Sequence, residues 1–399
     1  MPTSKSRVRP NLVDLESRDT PATIWVSDDR WVDEPGTLPR AVRIANETAG
    51  KDVIQFAFAA FGKNDLTFAS NKTLEVAEEV SIELGWNVGA GKSVTISGTK
   101  PFTFTHKTNF DNPPIGEPGT PPPTPSSAII GVNFKNCNAG GSGGAVEVTG
   151  GNLMLTQCQF VDNTAGSKGG AVMVGENCLL TVSSGCLFDH NTANYGGAIA
   201  NSGQVVLNGT VFADNEANAI VIGPLFGAQG GWGGAIYSTG VVISDGSQFN
   251  YNYASRGGGG VYIANSSKAV ENASTFTGGQ FANNSVGRNN VGVVETGDGG
   301  GLNAESGFVR VTGTAFYGNM AGNGGGLSAG ANSTVEIKSA TFGGNSTPPF
   351  AANGPYHGRA IDVTAGAFVS VQGSTFDGNG IRGTYYNNGG NTFTDSPDE

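Results

Sequence analysis

The chain has 399 residues, 64 of them Gly, with 14% charged residues and a net charge of −11. Gly stands at more than twice its usual share of about 7%, and charge at about half its usual share, which excludes an ordinary enzyme surfaced by charged helices. The acidic balance excludes a nucleic-acid binder, which needs a basic face. The glycines lack the three-residue period of collagen, and 22 Phe with 37% hydrophobic residues exclude a chain without a core. Four Cys are too few for a disulfide scaffold. No stretch approaches the ~18 apolar residues of a membrane span, so no transmembrane segment is expected.

Residues 1–22 read as a disordered leader or tail. They carry basic residues with no apolar run behind them, unlike an ordinary secretory signal. Residues 23–107 read as an N-terminal cap and first coils. Thr23 to Val26 is a short strand. Leu38, Ala41, Val42, Ile44 and Ala45 recur at helical spacing in a segment running from Gly36 to Ala49. Strands follow over 53–58, 66–68, 74–76, 80–84 and 94–96. Residues 108–127 form a loop, because seven of the 18 prolines fall within 113–125 and such a stretch cannot join a central sheet.

Residues 128–380 repeat. Phe followed three residues later by Asn occurs at Phe160/Asn163, Phe188/Asn191, Phe212/Asn215, Phe249/Asn252, Phe281/Asn284, Phe316/Asn319, Phe342/Asn345 and Phe376/Asn379. Phe134 is a further copy, with Cys137 in the Asn place. Alternating with it is a double Gly, a small residue and an aliphatic, as in Gly143-Gly144-Ala145-Val146 and Gly196-Gly197-Ala198-Ile199; looser copies end in Val261, Leu302, Leu327 and Ile361. A short alternating run precedes each Phe, for example Leu153 and Leu155, Val205 and Leu207, or Val335 and Ile337. A unit of three short strands, as short as 24 residues, is too small for a propeller blade of roughly 40–45. It is one coil of a parallel β-helix.

Alternate residues point inward, so the Phe and the aliphatics fill the lumen and stack about 4.8 Å apart. The Asn takes a turn where a left-handed backbone is tolerated, and its amide can bond to the next coil. The double Gly supplies positive φ and room for close approach. Residues 381–399 read as a tail.

Alternating F-x-x-N and G-G-A-[ILV] resembles the repeat region of the polymorphic outer-membrane proteins. That resemblance covers about residues 128–380 and implies a right-handed parallel β-helix used in adhesion, at the cell surface or outside the cell. Those proteins end in a membrane barrel, which this chain does not carry before Asp398-Glu399. Thr37-Leu38-Pro39-Arg40-Ala41-Val42 with Asp52-Val53-Ile54-Gln55-Phe56 resembles the opening module of bacterial surface β-helices, and the pattern of residues 7–22 resembles their leader. A helix there also has a plain physical role, since the first coil of a solenoid exposes an apolar end and an unpaired edge.

Candidate chemistry is sparse. Asp189-His190 lies at the two variable positions within F-x-x-N, where Val161-Asp162, Ala213-Asp214 and Asn250-Tyr251 stand elsewhere, so an outward, non-catalytic place explains it. His357-Gly358-Arg359 lies five coils away, roughly 24 Å by strand spacing, and His106 belongs to another region. Gly297-Asp298-Gly299-Gly300 is an unrepeated fragment of a Ca²⁺ pattern. No catalytic residue, metal ligand set or cofactor is expected. Cys158 and Cys186 stand two residues before their Phe, where Thr210, Ser247, Thr314 and Ser374 stand in other coils, and so read as stacked small residues; a disulfide between them is the alternative. Asn208 and Asn272 begin Asn-x-Ser/Thr matches, which are expected by chance in this composition.

Insertions near 218–231, 286–297 and 346–356 fall at one place in the coil, which is often the binding face of a solenoid. Tyr195 and Trp232 each precede a double Gly. Tyr237 and Tyr262 each follow an inward aliphatic and so point outward. The four should form one outward strip over three coils. The expected role is therefore an adhesin-like, non-catalytic β-helix that binds glycan or protein. The alternatives are a polysaccharide lyase or hydrolase of the β-helix type, or a structural spine with no ligand.

Overall fold

The computed structural model describes residues 22–394, apart from 49, 86–90, 107–126, 222–227, 266, 268, 288–296, 348–358 and 379. Its strands pair in parallel from coil to coil, and the chain is a parallel β-helix. One coil shows the plan. After Gly169-Gly170, strands run over Val172–Val174, Leu179–Val182 and Leu187–Asp189, with a two-residue strand at Thr192–Ala193 closing the turn. Each pairs in register with the same strand of the next coil, as Val172 with Ile199, Leu180 with Val205 and Phe188 with Phe212.

The repeat Phe residues form one buried column: Phe134, Phe160, Phe188, Phe212, Phe249, Phe281, Phe316, Phe342 and Phe376. Neighbouring rings lie 4.6–5.1 Å apart and within 12° of parallel. At roughly 1.5–3 kcal/mol per buried Phe, this column is a main source of cohesion between coils. It runs further than the motif does. Phe68 and Ile96 continue it below Phe134, and Phe393 stacks on Phe376 at 4.8 Å. Residues 381–394, expected as part of a tail, are therefore not a simple tail. Gly380–Arg382, Tyr386–Asn387 and Thr392–Thr394 add one more coil, whose Phe393 is 41% exposed at the open end.

The Asn column forms a continuous ladder through Asn163, Asn191, Asn215, Asn252, Asn284, Asn319 and Asn345. Nδ2 donates to Oδ1 of the next coil's Asn at 2.9–3.0 Å along this row. The backbone N–H of each donor Asn meets the same Oδ1 at 3.0–3.1 Å. The second Nδ2 proton goes to the Phe carbonyl of the preceding coil at 2.8–3.1 Å. Each interior amide thus makes all four hydrogen bonds it can make. At Asn319, for example, Nδ2 donates to Asn345 Oδ1 at 3.0 Å and to Phe281 O at 2.8 Å. Its Oδ1 accepts from Asn284 Nδ2 at 2.9 Å and from Asn284 N–H at 3.0 Å. Cys137 joins through its N–H, which donates to Asn163 Oδ1. Asn379 lies outside the described residues.

One expectation about the ladder is corrected. The left-handed position is not the ladder Asn but the residue before it. Asn136, Asp162, His190, Asp214, Tyr251 and Asn283 have φ between 51° and 56°, while Asn163, Asn191, Asn215, Asn252 and Asn284 after them do not have positive φ. Asn319 and Asn345 depart from the expectation in the same way: Gly318 and Gly344 before them take the positive φ, at 61° and 59°. Gly378 stands in that place in the following coil, with φ of 60°. The tight reversal falls one residue early, which leaves the Asn side chain free to point inward.

The two glycines of each pair are required for different reasons. Gly196 has φ of 64°. Gly197 has ordinary φ, but a Cβ on it would sit 2.5 Å from Glu216 N and closer still to Gly234 O.

At the N-terminal end a helix, Leu38–Glu47, covers the first coil. Thr37 caps it by accepting from Arg40 N–H, and its Leu38, Ala41, Val42 and Ala45 are buried. The strands expected after it are present, with Asp52–Phe56 pairing to both Thr23–Val26 and Val80–Glu83. Two elements were not expected: a short helix at Phe58–Phe61 and a strand at Phe102–Thr105.

All four cysteines are free and buried. Cys186 Sγ accepts the Cys158 N–H at 3.4 Å. Ser247 Oγ does the same for Thr210 N–H, and Ser374 Oγ for Ala340 N–H. The position therefore takes small hydrogen-bonding side chains that join adjacent coils. Burial pushes the Cys137 thiol up to about 12 and Cys178 up to about 11, and raises Cys158 as well. Cys186 is lowered instead, by its hydrogen bond with Cys158, so what protects it is burial at 2% exposure. Since the reactive form is an accessible thiolate, Ellman's reagent should titrate no thiol in the native protein and four after unfolding. Fast native reaction would contradict this packing.

Candidate functional site

The outward aromatic residues come together as a strip. It is built from two columns that flank the double-Gly turn. The column before the turn runs Lys168, Tyr195, Trp232, Gly257, Asp298, Asn323 through successive bridges. The column on the following strand runs Ala200, Tyr237, Tyr262, Asn303, Ser328, Asp362. Each aromatic residue of the first column leans onto the next coil's member of the second. Tyr195 meets Tyr237 edge-on with ring centroids 5.1 Å apart, and Trp232 meets Tyr262 at 4.7 Å. Tyr237 and Tyr262 stack at 5.7 Å. The four expected residues therefore do line one strip over three coils, but Tyr262 is buried at 7% exposure beneath its neighbours Trp232 and Tyr237, and so is not the outward residue that strand alternation suggests.

The Arg256 guanidinium lies over the Trp232 ring, 4.7 Å from its centroid. Gly257 makes room for this packing: a Cβ there would fall 2.8 Å from the indole ring and 3.1 Å from Asn303 Nδ2. Burial holds the Tyr237 and Tyr262 hydroxyls above the ordinary tyrosine range, so they stay protonated and can donate hydrogen bonds. Beside Trp232 the insertion near 218–231 folds back as a two-stranded antiparallel hairpin, Ala219–Val221 with Ala228–Gly230. Ala219 N–H donates to Ser255 Oγ at 2.8 Å, which ties the hairpin to the coil. The other two insertions lie mostly outside the described residues.

Beyond Trp232 and Tyr262 the same two columns turn acidic and polar, which sequence reading missed. Asp298 accepts from Asn323 Nδ2 at 2.7 Å, and burial followed by the neighbouring Asp362 raises its carboxyl pKa despite that bond. Burial and Asp298 likewise raise Glu305. Asp362 is buried, with Arg382 Nε 3.7 Å away. Asn303 is 1% exposed, and neither its Oδ1 nor its Nδ2 has a hydrogen-bond partner among the described residues. The signal was available: Asn303, Ser328 and Asp362 each follow an inward aliphatic, as Tyr237 and Tyr262 do. Asp298 in the Gly297–Gly300 fragment belongs to the column before the turn, at the place Tyr195 and Trp232 occupy in earlier coils.

The other candidates lie elsewhere. Asp189 ends its Phe strand, and His190 and Asp214 stand in the turns after the Phe strands of adjacent coils, each of the three with one ligand atom within 4.8 Å of the others. His190 Nδ1 pairs with Asp189 Oδ1 at 2.8 Å, and this bond raises the imidazole pKa. The group is on the surface, with the His190 side chain 59% exposed. His106 is a core residue: its Nε2 is 2.8 Å from Ser127 Oγ, its ring stacks on Phe104, and burial lowers its pKa. His357 and Gly358 lie outside the described residues, and only the backbone of Arg359 is described.

No family model and no curated protein sequence matches the chain. Among solved structures it is similar to the A-module of a mannuronan C-5 epimerase from Azotobacter vinelandii. The identity is 14%, over 94% of this chain and 98% of that one, with a TM-score of 0.36. The β-helix itself stands on the strand pairing above. Among the described residues no helix is long and apolar enough to cross a membrane.

Proposed function

We propose that the protein is a β-helical glycan-binding protein whose binding groove is the strip of Tyr195, Trp232, Tyr237 and Tyr262. The continuous packing of these four rings across three coils carries this reading. Rings with an apolar face and a polar edge suit the C–H faces and hydroxyls of sugars. The repeat likeness to polymorphic outer-membrane proteins supports an adhesin-like role at the cell surface as part of the same proposal.

The test is a glycan-array screen of the wild type beside two variants. Trp232→Ala with Tyr262→Ala should lower binding to every positive glycan at least tenfold, or about 1.4 kcal/mol. Tyr251→Ala, at a residue 60% exposed and off the strip, should leave binding unchanged. The unfolding midpoint should move little in Tyr251→Ala and fall in the double variant, because Tyr262 is 7% exposed and packs on Trp232. Binding is therefore compared at a temperature where all three proteins are folded, and equal binding by all three would overturn the reading. A second reading, a polysaccharide-active enzyme, is favoured by the carboxylates Asp298 and Glu305 of one coil and the buried Asp362 two coils further along the same columns. It predicts new reducing ends or unsaturated sugars when array-positive polysaccharides are incubated with the protein.

A further inference from the structure

The acidic end of the groove joins three observations. Asp298 is a partly buried carboxylate with one side-chain hydrogen bond, from Asn323, and no ion pair among the described residues. Glu305 adds negative charge around it, as does Asp362, which Arg382 partly offsets from 3.7 Å. Asn303, buried and unpartnered at both amide atoms among the described residues, reaches across to Gly257, the neighbour of Asp298 in the adjoining column. A partly buried carboxylate without a cation and a buried amide without a partner, both among the described residues, are costly. Both lie within about two coil spacings, roughly 10 Å, of Trp232 along the groove. The Arg256 guanidinium at the strip already lies over the Trp232 ring.

We infer that this end of the groove binds an amino sugar, a hexosamine with a free amine, whose ammonium group sits against Asp298. The Asn303 amide would take a neighbouring ring hydroxyl, and the aromatic strip would hold the C–H faces of adjoining sugars. The inference rests on the glycan-groove reading and adds the sugar class to it. An ammonium beside Asp298 supplies the missing countercharge, and a ring hydroxyl can both donate to and accept from Asn303. An N-acetylated sugar offers no cation, and a uronate would bring a further negative charge to the same place.

The test is calorimetric titration of the full chain with three oligomers of equal length: β-1,4-linked glucosamine, its N-acetylated counterpart and an oligomannuronate. The glucosamine oligomer should bind at least tenfold more tightly than the acetylated one, and the oligomannuronate more weakly than either. Asp298→Asn, which keeps an oxygen for Asn323, should remove the preference for the free amine while leaving affinity for the acetylated oligomer unchanged. Trp232→Ala with Tyr262→Ala should weaken both. Because the chain is acidic overall, a preference that persists in Asp298→Asn would mark unspecific charge attraction and overturn the assignment. Equal or tighter binding of the acetylated or uronate oligomer by the wild type would also overturn it, while leaving the groove intact. Absence of binding to all three overturns the amino-sugar inference, and the array then decides separately whether the groove binds any glycan.

Discussion

Gly197→Ala is expected to abolish the folded state. The new methyl carbon would lie 2.5 Å from Glu216 N and 2.7 Å from Glu216 O, and nearer still to Gly234 O. All three are backbone atoms of ladder-bonded neighbours, so no side chain can rotate away. Glu216 N–H donates to Asn191 O at 2.8 Å, and Gly197 N–H to Gly233 O at 3.1 Å. Separating the coils to admit the methyl group would break both rows. Gly246 is the control. It has φ of 62°, but nothing lies within 4 Å of a Cβ built there. Gly246→Ala should therefore show only the left-handed cost, about 1–2 kcal/mol. Gly197→Ala should lose more than about 4 kcal/mol, the range reserved for changes that break packing outright. Denaturant unfolding and soluble yield read the difference, and equal midpoints for the two variants would contradict the coil spacing.

Asn252→Ala should be strongly destabilising although it adds no atoms. It removes an acceptor for Asn215 N–H and Nδ2 and a donor to Phe212 O and Asn284 Oδ1, four bonds of 2.9–3.1 Å in a site with no exposure. The partners remain buried. At about 1–3 kcal/mol for a stranded polar group, the loss should be roughly 3 kcal/mol or more. Asn250, two residues earlier, is half-buried and accepts from Gln280 Nε2 at 3.0 Å. Its replacement by Ala should stay within about ±0.5 kcal/mol, as surface changes usually do. Unfolding midpoints separate the two. Matching values would show that the ladder contributes nothing beyond ordinary surface contacts.

The repeat is legible because stacking makes every coil select the same residue at the same place. Phe, Asn and the second Gly each face their own copy about one strand spacing, roughly 4.8 Å, away, so each leaves a periodic trace in the sequence. Where that pressure stops, the trace stops. Phe393 stacks like the others, but no Asn follows it three residues later, and its coil reads as a tail. Phe68 and Ile96 extend the column into the cap without any double Gly to announce them. Outward positions answer to solvent and ligand, not to a copy of themselves. The strip of Tyr195, Trp232, Tyr237 and Tyr262 can be placed from strand alternation because aromatic residues in that position stand out. Asn303 and Asp362 obey the same alternation, yet as single polar residues they look like ordinary surface. Only their burial, and the lack of a hydrogen-bond partner for Asn303 among the described residues, sets them apart. The left-handed residue before each ladder Asn leaves no trace because its identity varies freely: Asp, Asn, His, Tyr and Gly all occupy it, with Gly318 before Asn319 and Tyr251 before Asn252.

The most direct measurement of the central claim is a crystal structure of the protein with an array-positive oligosaccharide. Sugar rings should lie along the strip, with at least one sugar face stacked on Tyr195, Trp232 or Tyr237 and the chain running parallel to the axis of the β-helix toward Asp298. Sugar bound on another face of the solenoid, with the four aromatic rings untouched, would contradict the assignment of the groove.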